Sequence, residues 1–205
     1  MSTIPVILTI AGSDCSGGAG IQADIKTISA LKGYAASVIT AVTAQNTMGV
    51  QAVCPIPPDI VRAQITSVMD DLQPAAIKIG MVHNAAIVRA IAECLQRFRP
   101  RFVVCDPVMV STSGRQLMTK DTIHTIQEEL FPLCSLITPN LSEASLLLAR
   151  TVTDVEDMKP DEKAASEEIE PVSEETLKER SNWKEIKGTL QLLICLLYTS
   201  DAADD

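Results

Sequence analysis

Histidine is nearly missing from this chain: 205 residues contain only His83 and His124. The six cysteines, at positions 15, 54, 94, 105, 134 and 195, include no Cys-x-x-Cys pair. Together these two shortages argue against a zinc site. Scattered cysteines of this kind are expected to be reduced and to serve as apolar packing in a cytoplasmic protein. No apolar run reaches membrane-spanning length, and the N-terminus lacks the charged-then-apolar pattern of a signal peptide, so no membrane partner is expected. A basic excess is absent as well. The formal net charge is −9, which leaves no footprint for nucleic-acid binding.

What is present suits one domain with a sizeable core, at 46% hydrophobic residues. Its charge is unevenly placed. Residues 1–150 hold eleven acidic and eleven basic groups, whereas residues 151–205 hold fifteen acidic and six basic. Such asymmetry marks a boundary. Past Arg150 the segment "TDVEDMKPDEKAASEEIEPVSEETLKERSNWKEIKG" is mostly charged and has no strand pattern, a composition that favours disorder or a solvated helix.

Before that boundary, apolar runs alternate with helical patterns. "PVILTIAG" has the continuous apolar character of a strand buried on both faces. After a glycine cluster, Ile21, Ile25, Ile28 and Leu31 recur at helical spacing, with Gly33 as a C-cap. "AASVITAVTA" and "NTMGVQAVCPI" are strands separated by a turn, the second stopped by Pro57-Pro58. "PDIVRAQITSVMDDL" is an amphipathic helix with Ile60, Ile65 and Val68 on one side. "AAIKIGMV" is a strand, "NAAIVRAIAECLQRF" a helix and "RFVVCDPVM" a strand. "KDTIHTIQEELF" is a helix, and the strand "SLITPN" leads into the helix "SEASLLLA". This alternation predicts an α/β fold, a mostly parallel sheet with helices on both faces. Ligands of such sheets bind beyond the carboxyl ends of the strands. Five polar exits lie there: "GSDCSGGAG", "AQNTMG", "GMVHN", "DPVM" and "TPNLSEA".

The glycine cluster is not a Walker A loop, since no Lys-Ser/Thr follows its last glycine, and Ala23 stands where a dinucleotide fingerprint needs glycine. It is either a tight strand-to-helix turn without a ligand or an anion cradle of another kind. Asp24 could support the helix N-terminus or hydrogen-bond a ligand hydroxyl. Gln45, at a strand exit, is a hairpin turn residue or an amide able to read an aminopyrimidine edge. Asp106 either opens a turn before Pro107 or holds Mg²⁺ at the strand exit. Asn140 and Glu143 have the spacing of a capping box, the alternative being metal-bound water near phosphates.

In order and spacing, "LTIAGSDCSGGAGIQADIKT", "ITAVTAQNTMGVQ", "KIGMV", "VVCDPVM" and "LITPNLSEA" together resemble the hydroxymethylpyrimidine/phosphomethylpyrimidine kinases of thiamine biosynthesis, members of the ribokinase-like superfamily. The resemblance runs from about Ile4 to Leu148. It implies that Gly12, Ala19, Asp24, Gln45, Met81 and Val108 hold the pyrimidine. Gln45 would read the ring edge, and Met81 and Val108 would pack on it. Asp106, Asn140 and Glu143 would lie on the MgATP side. The implied chemistry is two successive phosphoryl transfers from ATP, first to the substrate hydroxyl and then to its monophosphate. The implied partners are the pyrimidine and ATP with Mg²⁺, and full-length members are expected to be homodimers. A pyridoxal or pyridoxine kinase of the same superfamily, and a non-catalytic pyrimidine-binding fragment, are the alternative expectations.

The chain also departs from that pattern. The family's later Gly-x-Gly turn, with its anion hole and catalytic Asp or Cys, has no counterpart after Gly20. Loss of one anion-hole donor typically costs about 10²–10³ in rate, so the 205-residue chain is expected to be nearly inactive, a ribokinase-like fold incomplete in its C-terminal part. "CLLYTSDAADD" resembles the conceptual translation of a transposon sequencing adapter. The expected organisation is therefore residues 1–159 as the N-terminal part of a kinase domain, 160–194 as an acidic segment of uncertain origin, and 195–205 as adapter read-through.

Overall fold

A computed structural model describes residues 4–109 and 118–152. The expectations for residues 160–194 and 195–205 lie outside the described residues. Six strands form one sheet: β1 (Val6–Asp14), β2 (Tyr34–Asn46), β3 (Gly49–Pro55), β4 (Ala76–Ile79), β5 (Val103–Cys105) and β6 (Leu136–Ile137). Their order is β3-β2-β1-β4-β5-β6, and every neighbouring pair is parallel except the β2–β3 hairpin. The α/β class expected from the alternation is what forms.

Residue parity sorts the core into two layers, as a period of two requires. Leu8, Ile10, Ile77, Ile79 and Val103 face one side of the sheet. There they meet α2 (Pro58–Asp71) through Val61, Ile65 and Met69, and α3 (Ala85–Phe98) through Ile87, Val88 and Ile91. Ile7, Ala76 and Val104 face the other side, where α1 (Gly20–Ala30) contributes Ile28. Both faces of the central strands are therefore covered, which is why those strands are almost wholly apolar.

Several local expectations shift. The buried stripe of α2 is Val61, Ile65 and Met69, while Ile60 is exposed. A strict four-residue step faces sheet and α3 together, and it places Ile60 outside. On α1 the buried positions are Ile21, Asp24 and Ile28, so a carboxylate occupies the middle of the buried face. Leu31 and Lys32 end that helix, and Lys32, not Gly33, takes the left-handed conformation at φ 65°. Gly33 is needed for space: a Cβ there would lie 2.9 Å from Ile28 Cγ2. The segment after residue 119 is α-helical only over α4 (Lys120–Thr125), then continues as a π turn (Ile126–Leu130) and a 3-10 turn (Phe131–Leu133). Pro132 lacks the N–H that a continuing helix would use. The last helix is α5 (Leu141–Leu147).

The connections create a switch point. From β1 the chain passes to β2 and β3 on one side, and then α2 returns it to β4 on the other side of β1. A crevice opens where neighbouring crossovers diverge, beyond the carboxyl ends of β1 and β4.

Candidate active site at the switch point

The glycine loop between β1 and α1 fills its own anion hole. One oxygen of Asp14 accepts from the Ser16 amide at 2.8 Å and the Ser16 hydroxyl at 2.7 Å. The other accepts from the amides of Gly18 at 2.9 Å and Ala19 at 2.8 Å. Ala19 is the N-cap of α1 and has no side chain able to cap it. Asp14 supplies the missing acceptor and places a negative charge at the helix N-terminus. Burial alone would raise the Asp14 carboxyl, but the Ser16 hydroxyl and the three amides outweigh it and hold it below 3.8. With its donors spent on a carboxylate of the same chain, the loop is a built turn rather than a phosphate cradle.

Its glycines answer to sterics. Gly20 adopts φ +56°, and a Cβ there would lie 2.2 Å from the Gly12 carbonyl oxygen. Gly12 in turn touches Met81: its Cβ would come 2.9 Å from Met81 Cε. Gly12 at the exit of β1 and Met81 just past β4 therefore meet across the switch point. The Met81 carbonyl accepts the Thr40 hydroxyl at 2.8 Å, which ties the β4 exit to β2. Gln45 lies near the end of β2, where Cys15 clips it to the loop. The Cys15 thiol donates to the Gln45 carbonyl at 3.1 Å and accepts from the Gln45 amide at 3.3 Å. The Gln45 side-chain oxygen takes the Thr43 hydroxyl at 3.1 Å, and the same hydroxyl reaches the Ser13 carbonyl at 3.0 Å. Gln45 is thus a strand residue of the β2–β3 hairpin, opposite Val50, with its backbone clipped to the glycine loop.

Asp24 does not stand at the loop surface. It is buried, and it accepts the Thr9 hydroxyl and the Lys78 ammonium, the latter at 3.1 and 3.2 Å. Lys78 also pairs with Asp106 at 3.6 Å. Burial pulls the Lys78 pKa down, but Asp24 and Asp106 together more than reverse this and hold it above 10.5. Thr9 and Lys78 are opposite one another in the β1–β4 register, on the face that α1 covers. Neither was singled out from the sequence. The available signal was a lone Lys inside the apolar run "AAIKIG", since a charge on a doubly covered strand needs a partner.

The exit of β5 is tied to α5. The Asp106 amide donates its strand bond to the Ile79 carbonyl at 2.8 Å, and the Asp106 carbonyl accepts from the Val108 amide at 2.9 Å. The Glu143 carboxylate accepts from the Met109 amide at 3.3 Å and from the Asn140 amide at 3.0 Å, while the Asn140 side chain accepts from the Glu143 amide at 2.9 Å. Asn140 and Glu143 therefore form the capping box that their spacing predicts. Both Glu143 oxygens are engaged, and among the described residues no three acidic, His or Cys side chains gather into a metal-binding group. Among the described residues, the carboxylate at this exit outside the capping box is Asp106, paired with Lys78 and with its side chain 13% exposed. That fits a magnesium ion held by a single carboxylate with phosphate oxygens and water completing its shell, and it does not fit an all-protein cage.

The exits of β1, β2 and β4, an acidic strand exit on β5 and a self-satisfied glycine turn gather at the switch point of this α/β domain. The phosphomethylpyrimidine kinase family model matches residues 14–172, and the chain belongs to that family. It is 54% identical over 147 residues to the hydroxymethylpyrimidine/phosphomethylpyrimidine kinase of Rhizobium meliloti, covering 72% of this chain and 55% of that protein. The crystal structure of a phosphomethylpyrimidine kinase from Clostridium difficile superposes with a TM-score of 0.71 at 48% identity, covering 76% of this chain and 67% of that one. A pyridoxal kinase from Staphylococcus aureus in complex with AMP-PCP follows the same fold at 32% identity and a TM-score of 0.67, over 77% of this chain and 57% of that one. The fold is ribokinase-like. This chain spans about half the length of bacterial relatives such as the Rhizobium protein.

Proposed function

We propose that this chain carries the acceptor side of a kinase that phosphorylates 4-amino-5-hydroxymethyl-2-methylpyrimidine and then its monophosphate with ATP. The observation that carries this is the meeting of Gly12 and Met81 across the switch point, with Gln45 at its mouth. Gly12 lets the Met81 side chain lie close against the strand exit, and its thioether supplies a polarizable surface for a flat ring. The Gln45 amide can donate to a ring nitrogen and accept from the exocyclic amine, since it carries both functions. Ala19 and Val108 complete the wall by backbone and apolar contact, and Asp24 supports it from beneath through the Thr9–Lys78 network.

On the phosphate side, Asp106 supplies the carboxylate that orients the cation. A magnesium ion held there would supply positive charge to offset the charge that develops on the transferred phosphoryl group. Asn140 and Glu143 hold the Asp106–Met109 turn in place through the Met109 amide. Phosphoryl transfer depends chiefly on this kind of positioning and electrostatic compensation.

Calorimetric titration of the chain with the hydroxymethylpyrimidine tests the proposal without requiring turnover. Saturable binding is expected, and Gly12→Val should abolish it by displacing Met81 from the strand exit. Gln45→Ala should weaken it about tenfold, the worth of a hydrogen bond or two. Equal binding by the Gly12→Val variant would place the ligand elsewhere. Tighter binding of pyridoxal than of the pyrimidine would move the assignment to the vitamin B6 kinases of the same fold.

A further inference from the structure

Gln45 is held twice, once by its side chain and once by its backbone. Thr43 and Gln45 stand two residues apart on β2, a spacing that returns side chains to one face of a strand. Thr43 is buried, and its hydroxyl lies 3.0 Å from the Ser13 carbonyl oxygen and 3.1 Å from Gln45 Oε1. Both are acceptors, so one hydroxyl proton serves the exit of β1 and the Gln45 amide together. From the glycine loop, the Cys15 sulfur donates to the Gln45 carbonyl at 3.1 Å and accepts from the Gln45 N–H at 3.3 Å. Gln45 itself is only half-buried. Without these bonds its long side chain would sample several rotamers, and ordering it on a ligand would cost affinity.

From this geometry we infer that Thr43 and Cys15 are positioning residues for Gln45, presetting its amide in the ligand-free chain so that the site selects an aminopyrimidine edge. Thr43 occupies one lone pair of Oε1. The second lone pair is left for the exocyclic amine, and Nε2 is left to donate to the ring nitrogen beside it. Such a hold acts on selectivity. A flat ring that lacks the nitrogen acceptor gains nothing from a preset amide, whereas the aminopyrimidine meets it already ordered. The inference rests on the reading of Gln45 proposed above, to which it adds the residues that keep the amide in place.

Two measurements on the full 205-residue chain separate the hold from the reading. Without ligand, ¹⁵N relaxation of the Gln45 side-chain amide, assigned through Gln45→Ala, should show an ordered group in the parent and a more mobile one in T43V and C15A. A variant whose amide stays as ordered as the parent's overturns the role of that residue. T43V also takes a partner from the Ser13 carbonyl. C15A leaves that bond in place and carries the test where T43V fails to fold. Calorimetry then compares the hydroxymethylpyrimidine with an analogue bearing C–H in place of the ring nitrogen beside the amine. The parent should prefer the pyrimidine about tenfold, the worth of one hydrogen bond. T43V and C15A should cut that preference to about twofold, and T43S, which keeps the hydroxyl, should restore it. Equal weakening of both ligands, with the preference kept, marks the two residues as structural only and overturns the inference. A parent with an ordered amide but no preference overturns the reading of Gln45 itself, and the inference with it.

Discussion

Asp14 turns a glycine-rich loop into a self-contained turn, because a carboxylate four or five residues upstream reaches amides that would otherwise face a ligand. The same bonds tie loop stability to acid. The folded-state pKa of Asp14 lies below 3.8, so its contribution is fully present above that value and is lost as pH falls through the lower folded one. Asp14→Asn should therefore cost about 1–3 kcal/mol at neutral pH, the penalty for amides left without their charged acceptor. Urea denaturation of parent and variant at pH 7 and near pH 3 checks this, with the difference shrinking at the acid end. The glycine cluster and its mismatch to phosphate-binding motifs were legible in the sequence. That Asp14 itself occupies the anion hole was not, since the bond depends on the path of the intervening loop.

At the scale of elements, the helix ends were written locally and the helix faces only partly so. Asn84 caps α3 by accepting from the Ile87 amide, and Asn140 with Glu143 boxes the start of α5. Such caps connect residues two or three apart, which is why spacing alone identified the Asn140–Glu143 pair. Asn84→Ala should lower stability by about 1 kcal/mol, measured as a shift of the urea midpoint at constant slope. The phase of α2 was harder to read, because Ile60 and Val61 are both apolar and adjacent. Packing against β2 and α3 at once selects Val61. The helix after residue 119 breaks into π and 3-10 turns around Pro132, a tertiary compromise that its amphipathic pattern does not announce.

Across the whole molecule, Lys78 joins elements that are distant in the chain: α1 through Asp24 and the β5 exit through Asp106. Lys78→Met alone leaves Asp24 buried without a counter-charge and should destabilise the fold by about 3–5 kcal/mol. The pH dependence has the opposite sense to that of Asp14. With its folded-state pKa above 10.5, Lys78 contributes fully below that value, and its contribution is lost as pH rises through the higher folded one. Thermal melts between pH 8 and 12 should show an alkaline loss in the parent chain that Lys78→Met lacks.

The sequence by itself determined the α/β class, the positions of the strand exits, the capping box and the family, because these depend on short-range periodicity and on motifs contiguous in the chain. Only the tertiary structure decided that Asp24 faces inward to Lys78, that Gly12 meets Met81, and that Asp106 at the β5 exit pairs with the same Lys78. Those outcomes depend on strand order and register. Placing β4 beside β1 sets Lys78 opposite Thr9, and the path of the glycine loop after β1 brings its amides onto Asp14.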